Sequence, residues 1–365
     1  MAQCKLCERV SPEISGALGV CSACIREQPQ RALAITNRAH QKMRDEFGLP
    51  PSPPAGAEGV SCNICVNQCR MAEDEMGYCG LRRNRSGRLV GVSANRGKLS
   101  WYHDALPTNC VAAWVCPGGT GAGYPRYANR RGVESGFKNL AVFFQGCSFN
   151  CLFCQNWHFR NETFSTPFHS VAELVADVDD RTSCICYFGG DPSPQMPFAL
   201  KASKEARKKA HGRILRICWE TNGCLNPDLL DQMLEIAIDS GGCVKFDLKA
   251  WDRSLHAAMT GIDNQRTLDN FARAVEKIPR RPFPPLLVAS TLLVPGYISP
   301  PEVAAIAGFI AGLNADIPYS LLAFSPQFLM RDLPLTTKAL AYECLQAARD
   351  CGLNNVRLGN VHLLV

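Results

Sequence analysis

"GCSFNCLFCQNW", residues 146–157, places Cys147, Cys151 and Cys154 in a C-x3-C-x2-C pattern. Thiolates at this spacing hold a metal cluster, and three of them leave one iron of a four-iron cluster without a protein ligand. An open coordination position takes a substrate or cofactor, as it does on catalytic zinc. The competing reading is a tetrahedral zinc completed by His158 or another cysteine. The loop follows directly on "NLAVFFQG", residues 139–146, a near-continuous apolar run of the kind that forms a strand buried on both faces.

The same texture recurs downstream. "SCICYFGG", "ILRICWETN", "CVKFDLKA", "LLVASTLLVPG" and "PYSLLAFSP" read as strands, and "NVRLGNVHLL" as a short last one. Helical patterns fall near residues 170–180, 196–211, 226–240, 264–278, 300–313 and 336–350. This alternation predicts an α/β fold with a parallel sheet. About six units over residues 138–365 predict a partial (β/α)6 barrel rather than the full eight. Right-handed crossovers put every strand's C-terminal end on one rim, where ligands collect in such folds.

That rim carries polar residues at consecutive strand ends. "YFGGDPSP" brings Gly189, Gly190, Asp191 and Pro192, and glycine lets backbone approach a ligand closely. "WETNG" brings Glu220, Thr221 and Asn222. In "KFDLKAWD", alternation aims Asp247 and Lys249 the same way, and the lysine suits a carboxylate. A plain strand-to-helix turn and a structural ion pair are the alternatives for the first and last of these.

The cluster loop after the first strand of a partial barrel, with the aromatic Phe153 ahead of its last cysteine, resembles the radical S-adenosylmethionine superfamily. The resemblance implies a [4Fe–4S] cluster on Cys147, Cys151 and Cys154, with S-adenosylmethionine chelated to the open iron. Cleavage of a carbon–sulfur bond would then yield a 5′-deoxyadenosyl radical that abstracts hydrogen from unactivated carbon. "GGDP" is similar to the family's Gly-Gly-Glu-Pro loop, with Asp191 in place of Glu. The resemblance further implies Phe153, Asn156, Gly189, Gly190, Asp191, Pro192, Glu220, Asn222, Asp247 and Lys249 as cofactor-binding residues.

Over roughly residues 60–365 the chain is similar to the pyruvate formate-lyase activating enzyme-like branch. "CNICVNQC…GYCGLR" and "CQNW" are similar to a divergent part of it, including cobalamin-dependent enzymes that C-methylate a glutamine in methyl-coenzyme M reductase. This implies radical modification of a protein or peptide substrate, an external electron donor and bound cobalamin. The chain has no Asp-x-His-x-x-Gly loop, so cobalamin would be held by residues 1–135 and the barrel. Two other functions are expected alternatives: a glycyl-radical enzyme activase, and a metal-stabilised electron-transfer or binding module.

Upstream of the barrel, cysteine dominates. Cys4, Cys7, Cys21 and Cys24 read C-x2-C-x13-C-x2-C, two knuckles that predict a tetrahedral zinc site in a segment over residues 1–48. "LPPSPPAGAEG", residues 49–59, has linker composition. Residues 60–137 form a second cysteine-rich, Gly-rich region, irregular from about residue 100. In it Cys62, Cys65, Cys69 and Cys79 predict a structural zinc or an auxiliary iron–sulfur cluster, since both use four thiolates. Cys184, Cys186, Cys218 and Cys243 fall in strands and read as small buried hydrophobes.

Composition bounds the rest. Of 365 residues, 46% are apolar and 20% charged, which supports a sizeable core and argues against wholesale disorder. A net charge of +6 is too mild to call for nucleic acid. "MAQCKLCERV" lacks the apolar stretch of a signal peptide, and no apolar run reaches the ~18 residues of a membrane helix. A cytoplasmic, reducing setting is expected, in which 20 cysteines serve as metal ligands rather than disulfides.

Overall fold

The computed structural model describes residues 1–365. Its central element is an eight-stranded sheet in which neighbours follow chain order. The strands are β1 (Leu99–Ala105), β2 (Lys138–Phe144), β3 (Thr182–Gly189), β4 (Arg216–Thr221), β5 (Val244–Asp247), β6 (Leu287–Leu293), β7 (Tyr319–Ala323) and β8 (Val356–Gly359). From β2 onward all pairs are parallel. β1 and β8 lie at opposite ends of the order and do not pair, so the barrel is open, as the sequence predicts. The parallel strands β2 to β7 are buried almost throughout, which explains their apolar runs.

The interior of the sheet is closed off on its outer side by crossover helices: α2 (Met196–Lys209), α3 (Pro227–Ser240), α5 (Gln265–Val275), α6 (Pro300–Leu313) and α7 (Lys338–Asp350). A shorter helix, α4 (Arg253–Thr260), was not expected from the sequence; Asp252 starts it by accepting a hydrogen bond from the Leu255 amide at 2.7 Å. Upstream, α1 covers Pro29–Glu46 and packs on α4.

Two upstream stretches are more ordered than their composition predicts. Residues 99–105, expected to begin an irregular region, form β1, which runs antiparallel to β2 from Leu99 opposite Phe144 to Ala105 opposite Lys138. It covers the edge that the first parallel strand would otherwise expose. The linker-like stretch is docked as well. Pro54 accepts from the Arg70 amide at 2.8 Å, and the Gly56 amide donates to the Arg70 carbonyl at 3.0 Å.

The N-terminal segment shares one continuous hydrophobic core with the barrel, through Cys4, Ile14, Leu18 and Ile25. Polar contacts fix its position. The Tyr297 hydroxyl donates to the Val20 carbonyl and accepts from the Ser15 amide, each at 3.0 Å. Asp332 accepts from the Gly16 amide at 2.7 Å, and Arg26 pairs with buried Glu302 at 2.9 Å. No helix is long and apolar enough to cross a membrane.

Candidate active site

β2 ends at Phe144, and Gly146 (φ +90°) turns the chain into the cluster loop. The end of β3 then zips onto that loop. The Gly190 amide donates to the Phe144 carbonyl at 2.9 Å and the Asp191 amide to the Gly146 carbonyl at 3.2 Å. A Cβ on Gly190 would stand 2.4 Å from the Gly146 carbonyl oxygen, and one on Gly189 (φ +108°) 2.6 Å from the Phe144 nitrogen. Both positions therefore require glycine for close backbone approach.

A cavity of about 220 Å³ opens at this rim. Cys147, Cys151 and Cys154 line it, as do Phe153, Asn156, Gly189, Gly190, Asp191, Glu220, Asn222, Asp247 and Lys249. Of the residues expected to bind cofactor, Pro192 alone does not line it; it begins the short turn over Ser193–Gln195. The sequence reading missed Arg160, Lys245 and Ser290 in this lining. Lys245 was legible by alternation, two residues before Asp247 on the same face. Arg160 had no such signal, because it lies in a helix just past the loop, Phe159–Ser165.

Several of these groups are held by the protein itself. The Asp191 carboxylate accepts from the amides of Ser193 (2.6 Å) and Asn222 (2.7 Å), tying the end of β3 to the end of β4. Burial nevertheless pushes this carboxyl above its usual range. The Asn222 side-chain amide donates to Ser148 Oγ at 3.0 Å and reaches Cys147 Sγ at 3.8 Å. Asn156 donates to the Gly189 carbonyl at 3.2 Å. Lys249 pairs with Asp247, and its ammonium lies 5.6 Å from the centre of the Phe153 ring. Lys245 pairs with Glu220 at 2.9 Å.

The residues present fit an iron–sulfur cluster with an anionic partner. Burial pushes the Cys151 thiol up to about 12 and Cys147 well above the ordinary thiol, and a bound metal would have to displace a proton from each. Arg160 is 2% exposed, yet its Nη1 has no hydrogen-bond partner in the protein. A buried guanidinium with a spare donor, lining a cavity with three thiols, suits a carboxylate.

The cluster loop is clasped from behind. His40 in α1 donates from Nε2 to the Ala258 carbonyl (2.9 Å) and accepts at Nδ1 from the Asn150 amide (3.0 Å). His256 bonds the Ile262 carbonyl at 2.6 Å and packs edge-on against Phe149, with ring centres 5.4 Å apart. Burial lowers both histidines from 6.5 to about 4. The unfolded chain takes up these protons near pH 6.5 and the folded chain only near 4, so the stabilisation is present above 6.5 and lost as pH falls through that window. Acidification from pH 6.5 to 4 is expected to cost on the order of 3 kcal/mol per histidine. Urea unfolding across this range checks it; a flat profile would count against it.

The upstream cysteines differ in how tightly they gather. The sulfurs of Cys4, Cys7, Cys21 and Cys24 all lie within 4.8 Å of one another, close enough for one ion, and no other cysteine set is gathered in this way. Cys62, Cys65, Cys69 and Cys79 sit nearer the cluster loop. The Asn67 side-chain amide donates to the Ser148 carbonyl at 2.8 Å and approaches Cys65 Sγ at 3.7 Å, while the Tyr78 amide donates to Cys69 Sγ at 3.4 Å. His103, a candidate ligand by residue type, lies in β1 and bonds the Asp177 carbonyl at 3.0 Å instead.

Comparison with known proteins agrees with this geometry. Residues 141–307 match the Radical SAM superfamily, and the chain carries a radical SAM domain. It is 32% identical over 153 residues to the isethionate sulfite-lyase activating enzyme of Desulfovibrio desulfuricans, covering 40% of this chain and 45% of that one. It is 25% identical over 315 residues to an uncharacterized protein of Methanocaldococcus jannaschii, 83% of this chain and 81% of that one. With the pyruvate formate-lyase-activating enzyme of Staphylococcus aureus it shares 28% identity over 165 residues, 43% and 62% of the two chains. The chain thus spans less than half the length of the first of these relatives. A radical SAM domain implies a [4Fe–4S] cluster and S-adenosylmethionine.

Proposed function

We propose that this chain takes a hydrogen atom from a residue of a protein or peptide substrate. The observation that carries the proposal is the meeting of Cys147, Cys151 and Cys154 in one rim cavity with Arg160, whose guanidinium lies over the Phe159 and Phe328 rings and whose Nη1 has no hydrogen-bond partner. Those cysteines would hold the [4Fe–4S] cluster, and Arg160 and Lys249 would face the carboxylate of S-adenosylmethionine. Bound there, cluster and cofactor supply a 5′-deoxyadenosyl radical, fed by an external electron donor. The chain's own part is to position and shield. The backbone at Gly189 and Gly190 allows close approach, and Phe153 and Phe188 wall the cavity against water.

Protein reconstituted without oxygen and reduced with dithionite is expected to convert S-adenosylmethionine to 5′-deoxyadenosine; no product would overturn the reading. Two versions divide on the fate of the substrate radical. A further relative, from Methanocaldococcus jannaschii, is named a putative glycyl-radical enzyme activating enzyme, which favours leaving the radical on a glycine of a partner protein. Cobalamin-dependent C-methylation, the version expected from the sequence, requires cobalamin absorbance in protein produced with cobalamin supplied, and a methylated product.

Zinc is proposed at Cys4, Cys7, Cys21 and Cys24, on the spacing of their sulfurs. Cys21→Ser and Cys24→Ser are expected to remove one metal per chain and to lower the thermal midpoint by several degrees, because the segment packs into the barrel core. Metal analysis and thermal scans check this. For Cys62, Cys65, Cys69 and Cys79 the wider spacing favours an auxiliary iron–sulfur cluster over a single ion.

A further inference from the structure

A second cavity, of about 290 Å³, lies deeper in the barrel and shares Phe188, Glu220 and Lys245 with the rim cavity. Cys110, Cys116, Cys184, Cys186, Cys218 and Cys243 all line it. They come from two adjacent strands, the residue just before a third, and one loop. Cys186 on β3 is the register partner of Cys218 on β4, and Trp219–Val244 pairing places Cys218 beside Cys243, which immediately precedes β5. None belongs to a cysteine motif, and the radical chemistry uses none of them.

The sulfurs divide into two kinds by what they touch. Cys184 donates to Asn139 Oδ1 at 3.3 Å and Cys243 to the Pro285 carbonyl at 3.2 Å, as thiols used for filling do. Cys186 and Cys218 receive N–H donors, Cys110 both receives them and donates to a carboxylate, and Cys116 is left open. Lys245, 2% exposed, points its ammonium at Cys110 Sγ (3.2 Å) and Cys186 Sγ (3.1 Å). Cys110 also accepts from the Ala112 amide at 3.4 Å, and Cys218 from the Cys243 amide at 3.5 Å. Cys116 gives its thiol to no oxygen. Cys110 in addition donates its thiol to Glu220 Oε1 at 3.5 Å, an oxygen that also accepts from Lys245.

Donors aimed at sulfur compensate thiolate charge, and metal–thiolate centres use such hydrogen bonds to tune the ligand. A single tetrahedral ion would need sulfurs about 3.8 Å apart, given zinc–sulfur bonds of about 2.3 Å. These cysteines are not gathered so closely, and neither are Cys147, Cys151 and Cys154. A cluster spreads its ligands further. We propose that Cys110, Cys116, Cys186 and Cys218 hold an iron–sulfur cluster inside the barrel, with Lys245 donating to two of its thiolates. On assembly each ligating thiol gives up its proton to solvent, while added iron and sulfide build the core. The proposal is independent of the function proposed above.

Acid-labile sulfide is the readout, since it counts clusters and ignores any single ion at the N-terminal cysteines. In full-length protein carrying Cys→Ala at 147, 151, 154, 62, 65 and 69, reconstitution with iron and sulfide is expected to leave about two to four sulfides per chain. Sulfide at the level of the blank would overturn the proposal. A second set of variants does not depend on that heavily substituted protein. In the otherwise unchanged chain, Cys186→Ser with Cys218→Ser is expected to lose the same about two to four sulfides. Cys184→Ser and Cys243→Ser are expected to lose none. An undiminished count in the first pair, or an equal loss in the second, would overturn the assignment.

Discussion

Cys147→Ala, Cys151→Ala and Cys154→Ala proteins, each reconstituted without oxygen, are expected to form 5′-deoxyadenosine no faster than a protein-free control. The loss should be complete rather than graded, because the three thiols line a single cavity and no fourth cysteine lines it. Cys224 lies beside the loop, but it is buried and engaged with the Ser148 hydroxyl at 2.9 Å. Chromatography of the reduced reaction measures the product, and iron analysis of the same samples should show the cluster gone. Retained activity in all three variants would remove the basis for a radical function. Retained activity in one would mean that the cluster is held differently from the spacing of the loop.

The second large effect concerns stability. Arg216 and Glu134 form a two-pronged ion pair (2.9 and 2.6 Å) at 1% and 0% side-chain exposure. Arg216 also donates to the Tyr127 carbonyl at 2.8 Å and to Ser183 Oγ at 3.0 Å. Burial works against the Glu134 charge, yet hydrogen bonds and charge from Arg216 hold its carboxyl below the usual range. The pair pins the loop that carries Cys110 and Cys116 to the start of β4. Arg216→Ala or Glu134→Ala leaves one buried charge alone, which costs about 3–5 kcal/mol. Replacing both residues by apolar ones should recover much of that loss. Urea unfolding of the two single variants and the double variant tests it, and a loss under about 1 kcal/mol in the singles would show the pair to be dispensable.

Local physics decides how far the sequence was legible. β2 and β3 announce themselves because strands buried on both faces must be apolar at every position. The cluster loop is legible because thiol spacing is a local property. β1 is hidden because it is half exposed and carries Ser100, His103 and Asp104 among its seven residues. Arg160 is hidden because its place in the rim cavity depends on how the loop folds back. The deeper thiols are hidden for a similar reason. Along the chain, Cys186, Cys218 and Cys243 each look like a small buried residue, and only strand register sets them side by side.

The clasp behind the cluster loop bears on what a minimal version of this protein would be. Residues 141–307 carry the family match, and a fragment starting near β2 would keep every thiol of the loop. It would lose His40, which holds Asn150, and Asn67, which holds Ser148. The loop's shape is thus borrowed from more than a hundred residues upstream along the chain. The amino-terminal third works as a jig for a catalytic segment that is contiguous in sequence but not autonomous in form.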